Sequence, residues 1–115
     1  MALSELDLKK AELVLARFMK KRRPPTHLRY QLDLGYRISD QSIEIYETRQ
    51  DWQDPTKFRE SAIAKATLVK RTGRWKIFCM RADRRWYVYQ QSSDVGTLDE
   101  FVGVVDADVH GCFWG

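Results

Sequence analysis

From Leu28 to Ile38 the chain alternates without interruption: Leu28, Tyr30, Leu32, Leu34, Tyr36 and Ile38 occupy one parity, and Arg29, Gln31, Asp33, Gly35 and Arg37 the other. A period of two belongs to an extended strand with one buried face, so the rest of the chain has to supply a sheet and something to cover it. Ser39, Asp40 and Gln41 form a short polar turn, after which Ile43 and Ile45 resume the apolar parity, and the pair reads as a hairpin. Residues 51–60, DWQDPTKFRE, carry a proline, no period and mixed charge, which predicts a surface loop with Trp52 and Phe58 folded back onto the body.

Three more strands fit between Ser61 and Ser92. In the first, Ala62, Ala64, Ala66 and Leu68 share a parity, and a row of small side chains suits a closely packed helix, here the N-terminal one. Trp75–Met80 is apolar on both parities, as expected of a central strand covered on both sides. Arg85–Gln90 places Trp86 and Val88 on one side, Tyr87 and Tyr89 on the other.

The covering elements are helices. Leu8, Ala11, Leu15 and Phe18 recur at helical spacing behind Ser4, an N-cap followed by acidic Glu5 and Asp7, and Pro24 and Pro25 stop the run, which predicts a helix from Ser4 to Arg22. Thr97 with Glu100 is a capping box opening a short helix, Leu98 to Val105. Phe113 and Trp114 carry too much apolar area to leave in water, so the tail is expected to be tied down on the sheet.

The expected architecture is α+β: a roughly five-stranded antiparallel sheet with a long N-terminal and a short C-terminal helix. A chain of 115 residues builds one core, so 1–115 reads as a single domain: helix and basic run over 1–25, sheet over 26–91, short helix and tail over 92–115. No stretch is apolar enough to span a bilayer and MALSELDLKK lacks the order of a secretion signal, which predicts a cytoplasmic protein with no membrane partner. Cys79 and Cys112 are expected as reduced thiols.

Charge is unevenly distributed. Residues 61–91 hold eight Lys or Arg against one acid, whereas residues 92–115 hold five acids and no Lys or Arg. The basic side chains are interleaved with Trp75, Phe78, Trp86, Tyr87 and Tyr89; cations neutralise phosphates and aromatic faces stack on unpaired bases. The candidate nucleic-acid-binding residues are therefore Lys65, Lys70, Arg71, Arg74, Lys76, Arg81, Arg84, Arg85, Tyr87 and Tyr89. Two bland readings compete: the aromatics are core and the cations keep hairpin ends solvated, or the acidic tail neutralises the hairpins within one molecule or between two.

Other chemistry is thinner. Asp106, Asp108, His110 and Cys112 fall at alternate positions and, in an extended tail, would point to one side as metal ligands; helix-end and turn roles are the alternative for the two Asp. Asp33, Glu44, Glu47 and Lys65 are the acids and lysine that a small metal-dependent hydrolase would place on a sheet, with Glu47, on the apolar parity, expected to pair with Lys65 or an Arg. No phosphate-binding glycine loop, nucleophile elbow or Cys–His pair at a recognisable spacing is present, and nothing names a cofactor.

The segments IEIYETR, DW, ESAIAKA, GRWKIFCMRADRRWYVY and the terminal VVDADVHGCFWG resemble a bacterial family of short proteins known as a domain of unknown function, over about Arg29 to Gly115. The resemblance implies a stand-alone cytoplasmic bacterial protein and supplies no activity, ligand or catalytic residue. The leading expectation is a non-catalytic binding protein with nucleic acid as the nameable partner. A protein-interaction or dimerisation module and a small metal-dependent hydrolase are the alternatives.

Overall fold

Ser4 opens helix α1 (Glu5–Arg22) as its cap, its hydroxyl accepting from the Asp7 N–H at 3.1 Å. Acids stand at the positive end of the helix dipole and Lys20, Lys21 and Arg22 at the negative end. In this computed structural model, which describes residues 2–114, α1 buries Ala11, Val14, Leu15 and Phe18. The strand expected from Leu28 begins four residues later. Pro24 and Pro25 lead instead into a single 3-10 turn, Thr26–Leu28, held by Arg29 Nε donating to the Pro24 carbonyl at 2.9 Å. Leu28 and Tyr30 consequently stay on the surface.

The sheet is an antiparallel meander of β1 (Leu32–Ser39), β2 (Ser42–Gln50), β3 (Phe58–Val69), β4 (Arg74–Met80) and β5 (Trp86–Val88), in that order. A sixth strand that the sequence did not announce, β6 (Asp94–Val95), pairs with the same edge of β4 as β5 does. Between them the Tyr89 N–H donates to the Ile77 carbonyl and the Ile77 N–H to that of Ser93, both at 2.9 Å. β5, β6 and the turn joining them thus act as one interrupted strand beside β4.

Residues directly opposite each other share a face. Register aligns Ile43, Ala66 and Ile77 in one row and Ile45, Ala64 and Cys79 in the next. Those rows are buried with the apolar faces of α1 and of α2 (Leu98–Ala107), so both helices cover one side of the sheet. The pairing slips at Ile45/Tyr46, where Ile63 is the extra residue of a bulge. The expected row of alanines breaks there: Ala64, Ala66 and Leu68 face the helices, while Ala62 stands opposite Tyr46 on the other side. The helix in closest contact with β3 is α2, and α1 lies along α2 and beside β1, a correction to the expected docking.

β4 is central, as expected, but covered on one face only. Trp75, Ile77 and Cys79 are buried, whereas Lys76 is exposed and Phe78 and Met80 are half-buried. The reason is that both helices lie on the same layer, leaving nothing to cover the opposite parity.

The capping box is formed, with Thr97 Oγ1 accepting from the Glu100 N–H at 3.2 Å, and α2 runs two residues beyond Val105. It ends at Asp108, left-handed at φ 41°. The tail is tied down as expected: Phe113 is buried against Tyr89, ring centroids 4.9 Å apart, and Trp114 Nε1 donates to the Val105 carbonyl at 2.8 Å. Gly115 of the tail motif lies outside the described residues.

Candidate functional site: the open face of the sheet

On the face away from the helices, Glu44, Lys65, Phe78 and Val88 form one cross-strand row, Ser42, Thr67, Lys76 and Asp94 a second, and Met80 stands beside Trp86. None of these side chains belongs to the buried core. The Lys65 ammonium lies 4.7 Å from the Phe78 ring centroid and 4.9 Å from that of Trp86; Lys76 Nζ is 5.8 Å from Phe78. Partial burial pushes the Lys65 ammonium below its ordinary range, and the cross-strand Glu44 carboxylate opposes that shift.

The other candidate cations divide between two turns. Lys70, Arg71 and Arg74 lie at the β3–β4 end, Arg81, Arg84 and Arg85 at the β4–β5 end, separated by the roughly 20 Å length of β4. Among the described residues, Arg74 is the one cation of the eight that forms an ion pair, with Asp94 at 3.1 Å. Lys70 donates to the Ala2 carbonyl at 2.9 Å, and Arg81 stacks on Tyr87 at 4.4 Å. Within one chain, neutralisation by the described residues of the acidic tail therefore goes no further than Arg74. Asp106 is taken instead by α1, through Lys21 at 2.7 Å and Arg22 at 2.9 Å.

Tyr89 leaves the candidate set, being 3% exposed and packed on the helix-covered side. Tyr87, two residues before it, shares that parity, and its hydroxyl donates to Asp83. The rings that accompany Lys65 and Lys76 are instead Phe78 and Trp86. The signal that finds them is register: Lys65 is opposite Phe78, and Trp86 pairs with Met80 on the same parity.

The β1–β2 half of this face is electrostatically self-contained. Arg37 stacks on Tyr46 at 4.4 Å and pairs with Glu60, with Glu44 at 4.0 Å. Beyond it, at the β2–β3 end, Trp52 and Phe58 do not fold back as expected. They are 82% and 53% exposed, because short local bonds (Asp51 N–H to the Lys57 carbonyl, Gln50 Nε2 to the Pro55 carbonyl) close the loop on itself. Arg59 pairs with Asp51 and Lys57 with Asp54, so this aromatic tip carries little free charge.

The metal-ligand run does not assemble. α2 continues through its first member, so the tail is not extended there, and Asp106 is spent on Lys21 and Arg22. The Asp108 carboxylate accepts from the Phe113 and Trp114 N–H groups at 3.1 and 2.9 Å. His110 packs toward Tyr89, and Cys112 Sγ lies 3.8 Å from the His110 carbonyl. Among the described residues no three His, Cys, Asp or Glu side chains are grouped to hold a metal, and Cys79 and Cys112 are both free thiols.

The acids considered for hydrolysis are in structural pairs. Asp33 accepts from Arg23 at 2.7 and 2.8 Å, which holds its carboxyl below the usual range. Glu47 pairs with Arg49; Lys65 is on the opposite face and out of reach. A cavity of about 690 Å³ lies between the first turns of α1, the β3–β4 turn and the start of α2. Its lining includes Lys10, Arg17 and Asp99 but no histidine or cysteine.

Comparison with known proteins gives one match: residues 3–115 fit the family model of a domain of unknown function, DUF3024. The matched region includes α1, so the helix placed outside the resemblance lies inside the family. No curated protein and no solved structure matches.

Proposed function

The chain belongs to the DUF3024 family, and we propose that it is a non-catalytic nucleic-acid-binding protein that uses the β3–β5 half of its open sheet face. One observation carries the reading: Lys65 and Lys76 stand among the aromatic faces of Phe78 and Trp86 and, among the described residues, form no ion pair with the chain's acids. Further cations, Lys70 and Arg71 at one end of β4 and Arg84 and Arg85 at the other, lie in the turns that flank this face. A cation that its own protein does not neutralise remains available to phosphate, whose contacts dominate the affinity of such proteins. In this reading the protein works in the bacterial cytoplasm, as its motifs imply. Among the described residues no helix is long and apolar enough to cross a membrane.

The test is fluorescence anisotropy with labelled single- and double-stranded DNA and RNA. Binding should weaken steeply between about 50 and about 200 mM salt, as counterion release requires. Lys76→Gln should lower affinity and flatten the salt slope by about one phosphate contact, whereas Tyr89→Phe should leave both unchanged. Failure of every nucleic acid to bind at low salt removes the reading.

A second reading rests on the β2–β3 tip, where Trp52 is the most exposed large apolar side chain and the neighbouring charges are paired internally. Aromatic, charge-poor surface suits a protein partner or a second copy. Self-association that ignores salt and disappears in Trp52→Ser, measured by light scattering, would favour this tip over the sheet face.

A further inference from the structure

Resting on that nucleic-acid reading, we infer that the ligand is a single strand whose bases stack on Trp86 and Phe78 and whose backbone follows β4 from the Lys70–Arg71 turn to the Arg81–Arg85 turn. Lys65 supplies the first argument. Its ammonium sits over both rings, so each ring turns a face, and not just an edge, toward Lys65 on the open side of the sheet. Stacking of a base on an aromatic ring outweighs an exposed cation–π contact, so a base displaces Lys65 from the rings. The freed ammonium is then beside the nucleotide's own phosphate.

Base pairing opposes the same event. In a duplex both faces of each base are taken by its neighbours, and a protein ring can stack only on a base that has left the helix. Nor does this face present a helix to a major groove, since α1 and α2 both lie on the far side of the sheet.

Charge sets the lateral limits. On the β2–β3 side Arg37 is taken up by Glu44 and Glu60, so that side offers phosphate no free cation and the strand is confined to β3–β5. Along β4 the two cation clusters are about 20 Å apart, a reach suited to roughly four nucleotides, the short end of single-strand sites.

The experiment measures affinity for oligothymidylates of about four to about twelve nucleotides and for a blunt duplex of matched length. Single strands should bind the wild-type protein about tenfold or more tighter than the duplex, with affinity levelling off once the β4 path is filled. Trp86→Leu should cost about tenfold on single strands and little on duplex, while Trp86→Tyr retains most of the single-strand affinity. Equal or tighter duplex binding, or a folded Trp86→Leu with single-strand affinity unchanged, overturns this inference and leaves the nucleic-acid reading standing. Absence of binding to both overturns the two together. The wild-type comparison requires no variant to fold.

Discussion

The guanidinium of Arg22 lies 4.3 Å over the ring of Trp114 while the same side chain donates to the Asp106 carboxylate at 2.9 Å. One residue at the end of α1 therefore joins the end of α2 and the tail. The caps Ser4 and Thr97 both line the 690 Å³ cavity, so the helices run in the same direction, with this clasp at their C-terminal ends. The clasp also removes Asp106 from the acids available to the basic hairpins, since Lys21 and Arg22 of α1 hold it. Arg22→Ala should destabilise by about 1–2 kcal/mol, combining a surface cation–π contact with a partly exposed ion pair. Arg22→Lys, which keeps the charge but not the planar stack, should lose less. Urea unfolding should show lower midpoints at unchanged slope, and an unshifted Arg22→Ala midpoint would mean the clasp contributes nothing.

Asp108 combines two demands that few residues meet. Its backbone is left-handed at φ 41°, and its carboxylate accepts from two successive backbone N–H groups that would otherwise be unpaired beneath the tail. Asp108→Asn tolerates the conformation and retains one amide oxygen as acceptor, so it should cost less than about 1 kcal/mol. Asp108→Ala loses both bonds and is strained, at about 2 kcal/mol or more. Asp108→Gly separates the terms, because it relieves the backbone and still loses the bonds. Thermal melts of the three variants should order Asn, Gly, Ala from most to least stable.

Helix ends were legible because caps act over three residues: Ser4 with Asp7 and Thr97 with Glu100 form the bonds their spacing predicts. Strand pairing is less local. Ala62 and Ile63 are both apolar, so nothing in the pattern marks the bulge that turns Ala62 away from the helices. The two-residue β6 is too short to have a period, and its place beside Trp75 depends on the turn before it. The candidate site was legible in half. Cations could be named from composition, but the choice between Trp86 and Tyr89 as the outward ring depends on which side of the sheet the helices occupy. Parity alone separates the two rings without saying which one is covered.

Gly35 lies beneath the ring of Tyr46, its cross-strand partner. A methyl group there would come within 2.6 Å of the ring, which is itself held from above by Arg37. Gly35→Ala should cost about 1–2 kcal/mol, as overpacking does where the neighbour cannot move freely. In a Tyr46→Leu background the same substitution should be neutral or mildly stabilising, since alanine loses less chain entropy than glycine on entering a strand. A double-mutant cycle from denaturant unfolding gives the coupling directly, and additive effects would rule out the ring as the cause.

Two carboxylates, Asp33 and Asp106, make the attachment of α1 sensitive to acid. Arg23 lowers the Asp33 pKa through a bidentate hydrogen bond, and Lys21 and then Arg22 lower that of Asp106. Each folded pKa lies below the unfolded value of about 3.9, so the unfolded chain binds protons first as pH falls. The stabilisation is fully present above about pH 5 and is lost as pH drops through the folded values. Asp33→Asn and Asp106→Asn should each cost up to about 1 kcal/mol at neutral pH, a small figure because Arg23 and Lys21 are well exposed and salt screens both pairs. Once pH has fallen below the folded pKa values, the wild type and the variants should converge, since the protonated carboxyl and the amide are then nearly equivalent. Urea midpoints measured across that range should show the gap closing; a gap that persists at low pH would mean that packing, and not charge, ties Arg23 to Asp33 and α1 to α2.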